Sequence, residues 1–287
     1  MTLKDYLTVQ VSASTVKIYL FEINHFIKFI GKSQAKQASY ETIIKYVIHL
    51  RNQYDNPGTI HRIIQAIKQY FFYLIEIGER SSHPCRYLSI QDKSRNEIQI
   101  QDLLNENELE RLLVREDRYE NLRLRNQVVM SLLVYQGLRI KELVNLKVED
   151  VDLVNEKLNV KARRGTNQRL MNLKPTQLLI LQDYLNEARK SLLKTESSNL
   201  IITARGTAEK GDGVHYLVST YQDLYPTKRI TPTKIRQSVI VNLLKKGNDL
   251  RVVQVFAGHK KASTTEKYRQ TNLEQLRLFV NRYHPLG

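Results

Sequence analysis

The sequence predicts a mainly α-helical protein of two domains, with a small antiparallel β-sheet in the second domain. Three observations lead to this fold class. Apolar residues recur at helical spacing over most of the 287 residues. A polar stretch without periodicity, residues 89–101, interrupts that pattern once. Strand-like segments are short and all come after that stretch. We therefore predict a helical domain over 1–88, a linker over 89–101 and a second domain over 102–287.

The first domain is expected to be a small helical bundle, because its apolar positions fall on one face of each segment. Ser12 or Ser14 can cap the first helix, and Gly31 can end it. Gly78 is expected to close the last one. The predicted helices cover residues 14–30, 39–54 and 59–77.

The second domain is predicted to be helical, with three short strands inserted after its first helices. A basic turn, residues 163–167, joins the last two strands. Helices are predicted over 105–114, 122–136, 140–146, 176–193, 233–246, 250–257, 263–268 and 273–282. The strands are predicted over 151–154, 157–162 and 169–173.

Basic residues exceed acidic ones throughout the chain. Lys and Arg number 45 against 29 Asp and Glu, which gives a formal net charge of +16 and a pI near 9.7. Both halves carry part of the excess, so a basic tail does not account for it. Such a balance points to a polyanionic partner, of which nucleic acid is the most common.

Cysteine usage and hydropathy exclude several classes of protein. Cys85 is the only cysteine, so an intrachain disulfide and a cysteine-based zinc site are not expected. The first ten residues lack the apolar region of a signal peptide, and no run of about 18 apolar residues occurs. We therefore expect a cytoplasmic protein without a membrane span.

Four segments contain arginine, histidine and tyrosine in an arrangement suited to phosphodiester chemistry. A tyrosine hydroxyl can attack phosphorus and keep the broken strand covalently bound. Its ordinary pKa is about 10, so it needs cations nearby, and arginine can hold two phosphate oxygens at once. The segments are Gly137-Leu138-Arg139-Ile140-Lys141-Glu142-Leu143, Thr231-Pro232-Thr233-Lys234-Ile235-Arg236, Ala257-Gly258-His259 and Ser263-Thr264-Thr265-Glu266-Lys267-Tyr268.

In order and spacing, these segments resemble the four sequence boxes of the tyrosine site-specific recombinases, the phage-integrase and Xer-like family. The resemblance implies a SAM-like core-binding domain followed by a catalytic domain. It also implies that Arg139 and Arg236 clamp the scissile phosphate and that His259 hydrogen-bonds it. Tyr268 would attack to give a 3′-phosphotyrosyl link and a free 5′-hydroxyl. No metal and no other cofactor is implied.

Two positions depart from the family pattern. The second box begins with Thr233 where the family has His, so proton removal from Tyr268 is unassigned. Thr233 can equally be an N-cap. In the family, a Lys in the hairpin acts as the general acid for the leaving 5′ oxygen. This chain has Arg164 at that position. Lys161 is an equally ranked candidate if the strand register differs. Glu142, three residues after Arg139 on one helix face, could orient that guanidinium.

Further basic residues are candidate DNA contacts. Arg62 and Lys68 lie on the predicted helix 59–77, which either contacts DNA or presents an ordinary solvated face. Arg163 and Arg164 lie in the hairpin turn, and Lys234 comes directly after Thr233. The basic run over 205–210 adds more candidates.

The resemblance implies double-stranded DNA with an inverted-repeat core site as the partner. An apolar stripe after Tyr268 either packs within the chain or docks on a neighbour, giving a homotetramer on two sites; its members are Leu273, Leu276, Phe279, Val280 and Tyr283. Integration, excision and resolution of cointegrates or dimers, including by a transposon-encoded resolvase, all fit. The alternatives are a catalytically impaired DNA-binding regulator and a telomere-resolvase or topoisomerase-like tyrosine enzyme.

Overall fold

The computed structural model describes residues 1–90, 99–114 and 119–269. The chain divides into two compact units, Met1–Glu97 and Ile98–Gly287. Most of the predicted linker, residues 91–98, lies outside the described residues. The structure contains no described helix with the length and apolar character that crossing a bilayer requires.

The first unit is a bundle whose longest helices, α2, α4 and α5, are those that periodicity predicts. Ser12 caps α2 by accepting a hydrogen bond from the Thr15 amide. α5 begins two residues earlier than predicted, because Asn56 caps it and Pro57 fits its first turn. The short helices α1 and α3 were not predicted. The five helices of residues 1–90 are α1 (Leu3–Gln10), α2 (Ala13–Ile30), α3 (Lys32–Gln37), α4 (Tyr40–Gln53) and α5 (Pro57–Glu76).

Side chains of α2 and α5 form the core of the first unit. Ile23 and Phe26 of α2 are fully buried, and so are Ile67 and Phe71 of α5. The rings of Phe26 and Phe71 meet edge to face. The apolar stripes that predicted these two helices are therefore the surfaces on which they pack.

The second unit is mostly helical and contains one small sheet. The predicted helix over 176–193 is present, with a π-helical segment, Tyr184–Ala188, joining α9 to α10. Its helices are α6 (Glu106–Arg111), α7 (Arg123–Tyr135), α8 (Ile140–Leu143), α9 (Pro175–Asp183), α10 (Arg189–Leu192), α11 (Asp212–Ser219), α12 (Pro232–Lys245), α13 (Leu250–Ala257) and a helix over 262–269. The strands are β1 (Val151–Asp152), β2 (Lys157–Val160) and β3 (Arg169–Asn172).

The three strands form an antiparallel sheet in the order β1-β2-β3. Leu158 pairs with Met171, and Val160 pairs with Arg169 at the end nearest the hairpin turn. All four of these side chains are buried. A mostly helical structure with a small antiparallel sheet confirms the predicted fold class.

α7 lies at the centre of the second unit and positions the first box, which comes directly after it in the chain. Val128, Val129, Leu132 and Leu133 have no exposed surface, so the helix is enclosed on nearly every side. The chain leaves α7 at Gly137, whose φ of 56° lies in the left-handed region that favours glycine. The residues after Gly137 are therefore attached to a rigid core helix.

Candidate active site

A cleft in the second unit gathers residues from three of the four boxes. Arg139, Thr233, Arg236 and Tyr268 all line it, and its volume is about 540 Å³. His259, from the third box, lies behind this cleft and contacts two of the lining residues. Residues far apart in the sequence thus surround a space large enough for a phosphodiester.

The first box is organised around the buried carboxylate of Glu142, which is 3% exposed. It accepts a hydrogen bond from the backbone amide of Arg139 at 2.9 Å. Both of its oxygens also accept from the guanidinium of Arg169, at 3.0 and 2.9 Å. The expectation that Glu142 orients the Arg139 guanidinium is wrong, because Arg169 takes the carboxylate in a two-pronged bond.

Arg169 was not singled out from the sequence, although it is central to the site. It begins β3 and is 5% exposed, on the same face as the buried Met171. Strand alternation over 169–173 is the signal that places it inside, where a charged group needs a partner such as a carboxylate. The pair lowers the pKa of Glu142: burial alone would raise it, but the hydrogen bonds and charge of Arg169 outweigh burial.

Arg236 joins the boxes to each other. From α12 it donates to the carbonyl of Gly137 and to the carbonyl of Ala257, each at 2.6 Å. It also donates to His259 Nε2 at 3.2 Å. Burial, opposed by Glu142 and assisted by the nearby arginines, lowers the pKa of Arg236 to about 10. The guanidinium therefore stays positive at neutral pH.

The hydrogen bonds at the start of α12 show whether Thr233 caps this helix. Thr231 is the N-cap, since its hydroxyl accepts a hydrogen bond from the Lys234 amide at 3.1 Å. Pro232 occupies the first turn, where its missing N–H costs nothing. The alternative that Thr233 caps the helix is therefore wrong. Its side chain lines the cleft instead.

His259 is held in one tautomer. Its Nδ1 lies 2.9 Å from Thr265 Oγ1, and its Nε2 faces Arg236. Arginine can only donate, so Nε2 accepts and Nδ1 carries the proton. Burial, followed by the charges of Arg236 and Arg139, lowers the pKa of His259 to about 4. Hydrogen bonding to a phosphate remains a prediction, and it requires Nε2 to leave Arg236.

Tyr268 lies on the helix over 262–269, with its ring parallel to that of His259. The ring centroids are 6.2 Å apart and the planes differ by 9°. The ring also packs against the apolar cluster of Ile240, Val253 and Ala257. Burial raises the pKa of Tyr268, although the charges of Arg236 and Arg139 oppose it. The phenol therefore keeps its proton at neutral pH and needs an acceptor before it can attack.

The two rivals for the proton donor occupy different surroundings. Lys161 Nζ lies 2.9 Å from a carboxylate oxygen of Glu149 and 3.0 Å from one of Asp150, and these bonds raise its pKa. Arg164 is exposed in the hairpin turn. Two residues later, Thr166 pairs through its backbone with His259. The turn that carries Arg164 is thus attached to the site, while Lys161 is held by acidic neighbours.

Comparison with known proteins identifies the family. Residues 102–275, more than half of the chain, match the phage integrase family. The chain belongs to this family. It is 27% identical to the tyrosine recombinase XerD of Listeria innocua, over 96% of this chain and 93% of that one. It is also 27% identical to the tyrosine recombinase XerC of Anoxybacillus flavithermus, over 98% and 95% of the two chains.

Solved structures show the same fold. A XerH site-specific recombinase bound to palindromic difH substrate matches with a TM-score of 0.75 at 20% identity, over 92% of this chain and 78% of that one. A lambda integrase tetramer bound to a Holliday junction matches with a TM-score of 0.68 at 14% identity, over 93% and 74%. The prediction of a tyrosine recombinase, an enzyme that transfers DNA strands, is confirmed.

Five of the recombinase's other candidate DNA contacts lie outside this cleft, and three of them have protein partners. Arg62 pairs with the buried Glu22 at 3.0 Å, and Lys68 donates to the carbonyl of Arg86 at 2.9 Å. Lys234 lies 3.3 Å from Asp102. Arg163 and Arg164 are exposed. The first three side chains therefore stabilise the protein itself, whatever they do with DNA.

Two further expectations concern other parts of the recombinase. In the basic run over 205–210, Glu209 is buried against Arg125, while Lys210 lines the cleft. The apolar stripe from Leu273 to Tyr283 lies outside the described residues. Within 1–90, 99–114 and 119–269, no group of three or more His, Cys, Asp or Glu side chains is placed to hold a metal ion.

Proposed function

We propose that this recombinase cuts and rejoins DNA at a specific site, with Tyr268 as the nucleophile. The observation that carries the proposal is the shared cleft of Arg139, Arg236 and Tyr268. Two guanidinium groups and a phenol facing one space suit a phosphodiester, which has two non-bridging oxygens and one phosphorus to attack.

The proposed step is a transesterification. Arg139 and Arg236 hold the non-bridging oxygens while Tyr268 Oη attacks the phosphorus. The bond to the 5′ oxygen breaks, leaving a 3′-phosphotyrosyl link and a 5′-hydroxyl. Because the phosphate ester is preserved on Tyr268, a 5′-hydroxyl of a partner strand can reverse the step without a nucleotide cofactor. Glu142 and Arg169 keep the first box in place beneath this reaction.

The proposed partner is double-stranded DNA with an inverted-repeat core site. The net charge of +16 supports a polyanion. The XerH structure contains a palindromic substrate, and the lambda integrase structure is a tetramer on a Holliday junction. By analogy we propose a homotetramer on two sites, with the apolar stripe after Tyr268 docking on a neighbouring protomer. Integration, excision and transposon-type resolution all remain consistent with this chemistry.

The test is formation of a covalent adduct. Footprinting on the DNA that flanks the protein's own gene first locates a site, and a nicked duplex with that site then traps the cleaved state. We expect wild-type protein to become covalently attached to the 3′ end. Tyr268→Phe should form no adduct while binding the same duplex equally well. An adduct of unchanged yield in that variant would remove Tyr268 from its role.

A second candidate is a DNA-binding regulator on the same fold. Thr233 at the second box and Arg164 in the hairpin turn favour it, because neither residue exchanges protons readily at neutral pH. This candidate predicts specific DNA binding by the wild type with no adduct on any nicked duplex. A topoisomerase or telomere resolvase would instead relax or hairpin a single duplex without paired sites.

A further inference from the structure

The proposed reaction lacks a proton acceptor at the position where the family has one. Thr233 lines the cleft there, but a hydroxyl does not take up a proton near neutral pH. Tyr268 has its pKa raised by burial, so the phenol must lose a proton as it attacks. Some other group facing this space has to receive it.

His259 is poorly suited to that task. Its Nε2 lone pair accepts the hydrogen bond from Arg236, and its Nδ1 proton points to Thr265. Burial, followed by the charges of Arg236 and Arg139, lowers the pKa of His259 and so disfavours a second proton on the ring. In this structure His259 therefore has no free lone pair to take the proton of Tyr268.

A different imidazole lies on the cleft wall. His215 lines the same cleft as Thr233, Arg236 and Tyr268, and its ring is open to solvent. In the described part of the chain it is the cleft's one imidazole. It also lines a neighbouring cleft that contains Arg229. The charged and titratable groups that line these two clefts with it are Arg139, Lys141, Lys210, Asp212, Tyr216, Arg229, Arg236 and Tyr268.

The helix that carries His215 is anchored by a buried acid. Glu209 accepts hydrogen bonds from the amides of Lys210, Gly211 and Gly213, at 3.0, 2.8 and 3.1 Å. Its other oxygen binds Arg125 of α7 at 2.7 Å. Residues at the start of α11 are thus tied to the central helix of the unit.

The same segment packs directly against the first box. Gly211 has a φ of 117°, and a Cβ built on it would lie 2.9 Å from the side chain of Ile140. Ile140 is the residue after Arg139, so the start of α11 and the first box are fixed against each other. His215 lies one turn further along α11, with its amide bonded to the Gly211 carbonyl. The backbone that carries the His215 imidazole is therefore held in place against the first box.

We propose that His215 accepts the phenolic proton of Tyr268 during strand cleavage, in place of the imidazole that Thr233 replaces. This inference rests on the proposed function. The Tyr268 Oη–phosphorus bond forms and the bond from phosphorus to the 5′ oxygen breaks. The phenolic proton passes to His215, and the leaving 5′ oxygen takes a proton from water. The resulting hydroxide then recovers the proton from the imidazolium.

The test compares single-turnover adduct formation on the nicked duplex, with the site located by footprinting. His215→Gln should slow cleavage by about 10²- to 10⁴-fold, the usual contribution of a general base. Its DNA affinity should match that of the wild type. A general base must be unprotonated to accept the phenolic proton, so the wild-type rate should rise with pH. His215→Gln should lack that rise.

Two further variants separate chemistry from structure. Thr233→His in the His215→Gln background returns an imidazole to the second box and should restore most of the rate. Tyr216→Phe is the matched control, because Tyr216 lines only the neighbouring cleft; it should cleave normally. Wild-type cleavage by itself reports on the proposed function, and the ratio of His215→Gln to wild type reports on His215.

Three results would overturn the proposal. The first is a His215→Gln rate and pH profile equal to those of the wild type. The second is recovery of the His215→Gln rate on a duplex with sulfur at the bridging 5′ position, which leaves without a proton; that would make His215 a donor. The third is a wild-type protein that forms no adduct, which removes the proposed function as well.

Discussion

Glu142 shows how one side chain supports the site without facing the substrate. It is buried and holds Arg169 through two hydrogen bonds. Glu142→Gln would leave the Arg169 charge without its partner, which typically costs about 3–5 kcal/mol. We expect a loss of that order in the free energy of unfolding at pH 7, measured by urea denaturation.

The same pair should make stability depend on pH. The pKa of Glu142 is lower in the folded protein than in the unfolded chain, so the pair stabilises fully above the unfolded value. That contribution is lost as pH falls through the lower, folded value. The gap in stability between wild type and Glu142→Gln should therefore narrow below about pH 4. A gap that stays constant down to about pH 3 would contradict this account.

His259 gives a second prediction at single-residue scale. With its pKa lowered to about 4, the ring should stay neutral, with the proton on Nδ1, from about pH 8 to about pH 5. Imidazole nitrogen shifts in an NMR titration report both the charge and the tautomer. A His259 midpoint near the ordinary imidazole value of about 6.5 would show that Arg236 does not constrain it.

Individual residues were predictable where type and spacing carry the chemistry. Arg139, Arg236 and Tyr268 are identified by the boxes, and the structure places all three at one cleft. The partner of Glu142 was not predictable from helix spacing, because Arg169 comes from a strand 27 residues away. His215 was missed since nothing in the sequence around it resembles a box. The sequence therefore does not predict which residues of distant segments come into contact.

At the scale of elements, the turn after α13 is tightly coupled to β3. Gly258 has a φ of 65°, and a Cβ built on it would lie 2.5 Å from Arg169 Nη1. Gly258→Ala should therefore disturb the Arg169–Glu142 pair as well as straining the backbone. Gly247→Ala is the matched control, since Gly247 has a φ of 81° and nothing within 4 Å of such a Cβ.

The two alanine variants should differ clearly. Gly247→Ala should lose about 1–2 kcal/mol of unfolding free energy, the cost of placing alanine in the left-handed region. Gly258→Ala should lose more and should also cleave the nicked duplex slowly. Thermal unfolding and adduct formation measure the two effects. Equal losses in both variants would mean that Arg169 moves aside freely.

Helices with strong local signals were predictable, and those without were not. The range predicted for α13 agrees with its observed bounds, Leu250–Ala257, because its periodicity is strong and Gly258 ends it. α11 was missed because glycines stand at its start, Gly211 and Gly213, and glycine disfavours helices. Tertiary contacts stabilise the start of this helix instead, because Glu209 accepts hydrogen bonds from the amides of both glycines.

At the scale of the whole molecule, the net charge of +16 includes cations that pair with a carboxylate and cations of the exposed hairpin turn. Lys161, Arg62 and Lys234 each lie against a carboxylate. Arg163 and Arg164 are exposed in the hairpin turn next to the site. The formal net charge counts paired and unpaired cations equally. A DNA phosphate must displace the acidic neighbour before it can bind a paired cation. The net charge follows from the sequence, but only the structure shows which cations lie against a carboxylate.

Salt dependence of DNA binding measures this division. Each phosphate contact contributes about −0.9 to the slope of log affinity against log salt concentration. Replacing both Arg163 and Arg164 with alanine should make the slope shallower by about 2. Lys161→Ala, the matched control from the same hairpin, should leave it unchanged, because Glu149 and Asp150 already hold that ammonium. A shallower slope in Lys161→Ala would show that DNA displaces its acidic partners and that Lys161 contacts phosphate in the complex.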